Sequence, residues 1–156
     1  VATGKERPGT GYDLVCMFDC LHDMGDPVGA ARRIRHALAP DGTLLLIEPL
    51  AGDGLADNLN PVRANLYGLS TVICTLASLA QEVGVRLGAQ AGELHLGIVL
   101  REAGFTRSAP GDRNPVQRHP GGTAIAAIGV APIAASADWP RARSASPMKM
   151  RVLAHW

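Results

Sequence analysis

Residues 18–27, FDCLHDMGDP, hold a histidine, three aspartates and a cysteine within ten positions. An imidazole titrates near neutrality, so His22 is suited to take a proton from a hydroxyl, with Asp23 or Asp26 orienting the ring. The same residue types could hold a metal through His22, Asp19, Asp23 and Cys20. No zinc spacing is satisfied there and no second Cys/His pair stands nearby, so no metal is expected. The plainer alternative makes His22 a loop or helix-start residue. Phe18, Asp19 and Cys20 either line a ligand pocket, or Phe18 is core and Asp19 caps a turn. Glu48 is either at the mouth of a pocket or a helix cap.

These residues need elements to position them. YDLVCMF (12–18) is short, apolar and preceded by turn residues, which predicts a buried strand. In DPVGAARRIRHALAPDG (26–42), Asp26 can cap a helix with Pro27 at its first position, and Val28, Ala31, Ile34 and Leu38 recur at helical spacing. Pro40 and the DG pair stop that helix, and TLLLIEP (43–49) reads as a second strand. Strand, helix and strand make a βαβ unit, and neither strand shows polar alternation. That pattern fits a parallel sheet covered by helices. FDCLHDMGDP then falls at the C-terminal end of the first strand, where open α/β sheets bind ligands. AGDGLADNLNP (51–61) reads as a loop, and the apolar 62–83 as one or two lid-like helices. Residues 82–93 read as a mobile connection. GELHLGIVLREAGF (92–105) predicts a helix ended at Gly104, with Phe105 opening a third strand.

The chain has 156 residues, enough for one domain, and its 47% apolar content supports a core. Its net charge of +1 is unevenly spread. Residues 1–106 carry eight Lys/Arg against twelve Asp/Glu, and 107–156 carry seven Lys/Arg against two Asp. Six of the eleven prolines lie beyond residue 106, and no hydrophobic period continues there. The division expected is therefore a partial domain at 1–106 and a largely disordered tail at 107–156. The tail's arginines lack interleaved aromatics, so no nucleic-acid partner is expected. The three cysteines form no CxxC pair, which fits reduced thiols in the cytoplasm. No apolar run approaches the roughly 20 residues that span a bilayer, so no membrane partner is expected.

YDLVCMFDCLHDMGDP, AARRIRHALAPDGTLLLIEP and the later LREAGF, taken together in this order, resemble the C-terminal half of class I S-adenosylmethionine-dependent methyltransferases. The likeness is greatest to bacterial members that carry a winged-helix domain. It covers roughly residues 1–106. The resemblance implies an α/β fold, a partial Rossmann-like methyltransferase sheet with a lid-like helical insert. It implies S-adenosylmethionine as cofactor and methyl transfer to a small molecule, at oxygen, with His22 as the base. Ala2 and Thr3 would lie near the adenine, and Phe18, Asp19 and Cys20 beside the rest of the cofactor. A homodimer is one assembly it allows.

Two features depart from the family. No GxGxG loop stands near Val1, and no acidic residue ending a second strand precedes YDLVCMF. The expectation is weak cofactor binding by this chain and an unpaired edge on YDLVCMF. Such enzymes also often finish with a segment like ATETPFNVILEA. Back-translated with GC-rich codons and read one frame over, that segment yields DRNPVQRHPGG, the sequence at 112–122. A frameshift between Phe105 and Asp112 is therefore expected, with an inactive remnant of a disrupted gene as the rival to an active enzyme. A regulatory ligand-binding module is a further alternative.

Overall fold

The structure is a computed structural model and describes residues 9–105, 109–110, 125–130 and 149–154. Strand β1 (Tyr12–Phe18) leads through a short 3-10 turn, Leu21–Asp23, into helix α1 (Pro27–Ala37). The Asp26 carboxylate accepts the Gly29 N–H at 2.7 Å and Pro27 takes the first helical position. Both features were legible in the sequence. Strand β2 (Leu38–Pro49) follows at once. It starts five residues before the expected Thr43, because Leu38 already pairs with Tyr12, and a register shift between Tyr12 and Leu14 absorbs the turn residues. The βαβ reading holds: β1 and β2 are parallel, from Leu14 opposite Thr43 to Phe18 opposite Ile47.

One face of this pair carries the core. Val15 and Met17 of β1 and Leu44 and Leu46 of β2 pack with Ala31 and Ile34 of α1. Helix α4 (Gly92–Glu102) adds Leu96, Val99 and Leu100 to the same cluster. Two arginines of α1 reach the end of α4: Arg32 donates to the Glu102 carbonyl at 3.2 Å and Arg35 to the Gly104 carbonyl at 3.0 Å. Cationic donors there satisfy carbonyls that the helix leaves without a partner. Gly104, at φ 94°, turns the chain out of α4 as expected. Phe105 does not open a strand; its side chain is buried in the core.

Between β2 and α4 lies the helical insert. Helix α2 (Pro61–Leu69), a π turn (Ser70–Cys74) and helix α3 (Thr75–Leu79) run on without a break. Its polarity is inverted. Ser70 and Ser78 are buried, while Leu69, Val72, Ile73, Leu76 and Leu79 are exposed. Among the described residues, no helix is long and apolar enough to cross a membrane.

Three further strands complete the sheet: β3 (Ala109–Pro110), β4 (Ile125–Val130) and β5 (Met150–Ala154). The order is β3-β4-β2-β1-β5. β4 runs antiparallel to β2, and β5 parallel to β1 from Leu14 opposite Met150 to Phe18 opposite Ala154. The expected open edge of YDLVCMF is thus corrected, because β5 pairs along it. These three segments fall within the stretch expected to lack order. IAAIGV is a continuous apolar run, and MRVLA is short enough that no period could show it. The rest of 107–156, with most of the inferred frameshift segment, lies outside the described residues.

Candidate active site

The site forms where β1 and β2 end side by side. Because Phe18 pairs with Ile47, the next residue of β2, Glu48, stands beside the turn that carries His22. Glu48 is buried at 2% exposure, and its carboxylate has three donors to meet. Its Oε1 accepts the Leu21 N–H at 2.8 Å and the Cys20 N–H at 3.3 Å. Its Oε2 is hydrogen-bonded to His22 Nδ1. A buried carboxylate needs this degree of compensation.

His22 is itself 3% exposed. Its other nitrogen, Nε2, faces Asp23 Oδ1 at 3.2 Å, and Asp19 Oδ1 lies 3.8 Å from Nδ1. Burial alone lowers the imidazole pKa. The hydrogen bond and charge of Glu48, then the charges of Asp23 and Asp19, outweigh it, and the net shift is upward. With Nδ1–H committed to Glu48, a neutral His22 carries its lone pair on Nε2.

The insert closes over this turn. Ser78 Oγ donates to the Met24 carbonyl at 3.1 Å and accepts the Arg86 N–H at 2.9 Å. Gln81 accepts from Gly25 N–H and donates to the Asp23 carbonyl, both at 2.8 Å. The Gly88 N–H donates to the His22 carbonyl at 3.3 Å. Residues 82–93, which read as a mobile connection, are therefore tied to the histidine turn and the residues after it through Val85 and Gly88, and to Ser78 of α3 through Arg86.

Other predicted residues fare differently. Phe18 is half-buried and Asp19 exposed at the C-terminal end of β1, with Asp19 at the positive φ of 49° that turns the chain sharply. Cys20 points inward instead: it is buried, and its thiol lies 3.9 Å from the Leu153 carbonyl of β5. Burial, then the charge of Glu48, pushes that thiol up to about 12. Asp26 does not orient His22; it is spent on capping α1. Ala2 and Thr3 lie outside the described residues. The residue that sequence reasoning left open was Glu48. The available signal was a carboxylate ending an apolar strand whose parallel neighbour ends in a histidine turn.

Residues 2–87 match the family model described as a methyltransferase domain. No curated protein matches by sequence. Among solved structures, the chain is similar to a candidate O-methyltransferase from Nostoc punctiforme, at 21% identity and TM-score 0.57, covering 82% of this chain and 34% of that one. It is similar to the mitomycin 7-O-methyltransferase MmcR, at 23% identity and TM-score 0.52, covering 83% and 32%. Human N-acetylserotonin methyltransferase, solved with S-adenosylmethionine, gives the same four figures: 23%, 0.52, 83% and 32%. The chain therefore spans about one third of the length of these structures, and they share its fold.

Proposed function

Because this chain belongs to the methyltransferase-domain family, we propose that it serves transfer of a methyl group from S-adenosylmethionine to a hydroxyl oxygen of a small molecule, with His22 as the base. The observation that carries this reading is the pairing of His22 with a buried carboxylate, Glu48, at the C-terminal ends of two parallel strands. Ligands of open α/β sheets bind at such ends. Two similar structures are named for methylating small molecules, mitomycin and N-acetylserotonin, which supports that substrate class.

The residues present suit the cofactor in part. Asp19 offers an exposed carboxylate to its positive charge, and Phe18 an aromatic wall beside it. Cys20 would contribute through its backbone, since its thiol faces β5. Ala2 and Thr3 are proposed beside the adenine on the strength of the resemblance alone. When bound, S-adenosylmethionine supplies an electrophilic methyl group. The protein's task is to hold the acceptor oxygen in line and remove its proton.

His22 would take that proton on Nε2, since Nδ1 is committed to Glu48. The imidazolium so formed faces the Glu48 carboxylate, which stabilises it. Asp23 now stands against Nε2, so the acceptor reaches the base when the Asp23 carboxylate turns away. Two measurements test the proposal together. Titrating the chain with S-adenosylmethionine should shift the Phe18, Asp19 and Cys20 amide resonances. Labelled methyl groups should pass to hydroxylated acceptors, and His22→Gln should slow this transfer by about a hundredfold or more while leaving the shifts in place. Absence of both shifts and transfer at millimolar cofactor would sink the reading.

A further inference from the structure

The Nε2 side of His22, away from Glu48, faces a second cluster. Cys74, from the π turn of the insert, brings its sulfur to within 4.8 Å of both His22 and Asp23 ligand atoms, and the three donors lie within that distance of one another. They come from separate parts of the chain, His22 and Asp23 from the turn after β1 and Cys74 from Ser70–Cys74. We propose that His22 Nε2, the Asp23 carboxylate and Cys74 Sγ form a zinc(II) site that staples the helical insert to the histidine turn.

Three observations support zinc at this place. The donor set is nitrogen, oxygen and sulfur, which suits a borderline-soft ion and not calcium or magnesium. Zinc bonds of about 2.0–2.3 Å set neighbouring donors about 3.3–3.8 Å apart. The His22–Asp23 distance is already that short, at 3.2 Å, and Cys74 Sγ lies within 4.8 Å of both donors. Third, Glu48 holds His22 through Nδ1, leaving the Nε2 lone pair directed at the cluster. A carboxylate on the far nitrogen is the usual orienting partner of a zinc-bound histidine. The second group of possible ligands, Asp19, His22 and Glu48, lacks this logic. There the histidine would have to use the nitrogen already given to Glu48, and Glu48 the carboxylate already holding two backbone amides.

Binding forms three bonds, from Nε2, a carboxylate oxygen and the Cys74 sulfur. The thiol proton leaves to water, and the hexaaqua ion sheds five of its six waters. A fourth position stays open to solvent or a ligand oxygen. No redox partner is needed. Zinc on Nε2 and proton uptake at Nε2 exclude each other, so the zinc-held chain is a form in which the proposed base is occupied; metal uptake is read directly, apart from methyl transfer.

The test uses cobalt(II) and zinc(II) with the whole chain. Cobalt should bind one per chain, with tetrahedral visible bands and a thiolate-to-cobalt charge-transfer band, and zinc should displace it. Cys74→Ser should remove the charge-transfer band, and Cys20→Ser and Cys16→Ser should retain it. Glu48→Gln should weaken zinc binding by about 10–100-fold. Asp23→Asn gives a second reading should Cys74→Ser misfold, and circular dichroism checks each variant. No stoichiometric uptake by the unaltered chain, or a charge-transfer band that survives Cys74→Ser, would overturn the proposal.

Discussion

Gln81 and Asp23 are joined by a hydrogen bond of 2.8 Å from the Gln81 amide to the Asp23 carbonyl, and the same side chain accepts from Gly25 N–H. One residue of the insert thus grips the chain at Asp23 and Gly25, just after the candidate base. Gln81→Ala removes both bonds. At about 0.5–1.5 kcal/mol each, the loss should be roughly 1–3 kcal/mol in urea unfolding. Amide exchange at Gly25 should accelerate by more than that of the β1 amides. Equal acceleration at both would show that the latch acts on global stability alone.

Glu48→Ala should cost more than Glu48→Gln. The first leaves the Cys20 and Leu21 amides and His22 Nδ1 without their acceptor in a buried setting. That should cost about 3–5 kcal/mol. Glutamine keeps an oxygen for the amides but presents an N–H to the ring. His22 should then move its proton to Nε2, a change visible in imidazole nitrogen shifts. A Glu48→Gln imidazole with the parent tautomer would contradict the assigned geometry.

His22→Ala, measured in whatever form of the protein transfers methyl groups, should lower the turnover number by about a hundredfold to ten-thousandfold. Cofactor affinity should change little. A turnover number within about twofold of the parent's would make His22 a structural residue.

Alkaline pH should destabilise the fold through Cys20. Burial, then the charge of Glu48, raises its thiol from 9.0 to about 12. The folded state therefore keeps the proton over a range in which the unfolded chain gives it up. This contribution is complete below pH 9 and is lost as pH rises towards 12. Urea midpoints at about pH 8 and about pH 11 should differ, and Cys20→Ala should narrow the gap. An unchanged gap would assign the loss to other groups.

The sequence exposed what local chemistry controls. The Asp26–Pro27 cap, the two apolar strands and Gly104 are each marked by residues whose backbone preference acts within a few positions. It exposed less of what pairing controls. Glu48 meets His22 because parallel strands end in register, a relation between positions 26 apart. Cys74 reaches the same spot through a π turn, which no propensity marks in STVIC. The strand Met150–Ala154 exists because β1 offers an edge, and MRVLA alone has no pattern to announce it. His22 and the segment Phe18–Cys20 were found because their residue types carry chemistry; what each one touches was not readable.

The pairing of β5 with β1 fixes an order of assembly. Tyr12 pairs with Leu38, whereas Leu14 pairs with Met150, so the second contact closes a much longer loop. Loop-closure entropy and topology both delay such a contact. During synthesis β1 and β2 can meet around α1 while the far edge of β1 still waits for a strand not yet made. For that interval Leu14–Phe18 is a template open to any extended segment nearby, including the same segment of another nascent chain. Pulse-labelled exchange should show the β1–β2 amides protected before those of Arg151 to Leu153, and the yield of folded protein should fall as nascent-chain concentration rises.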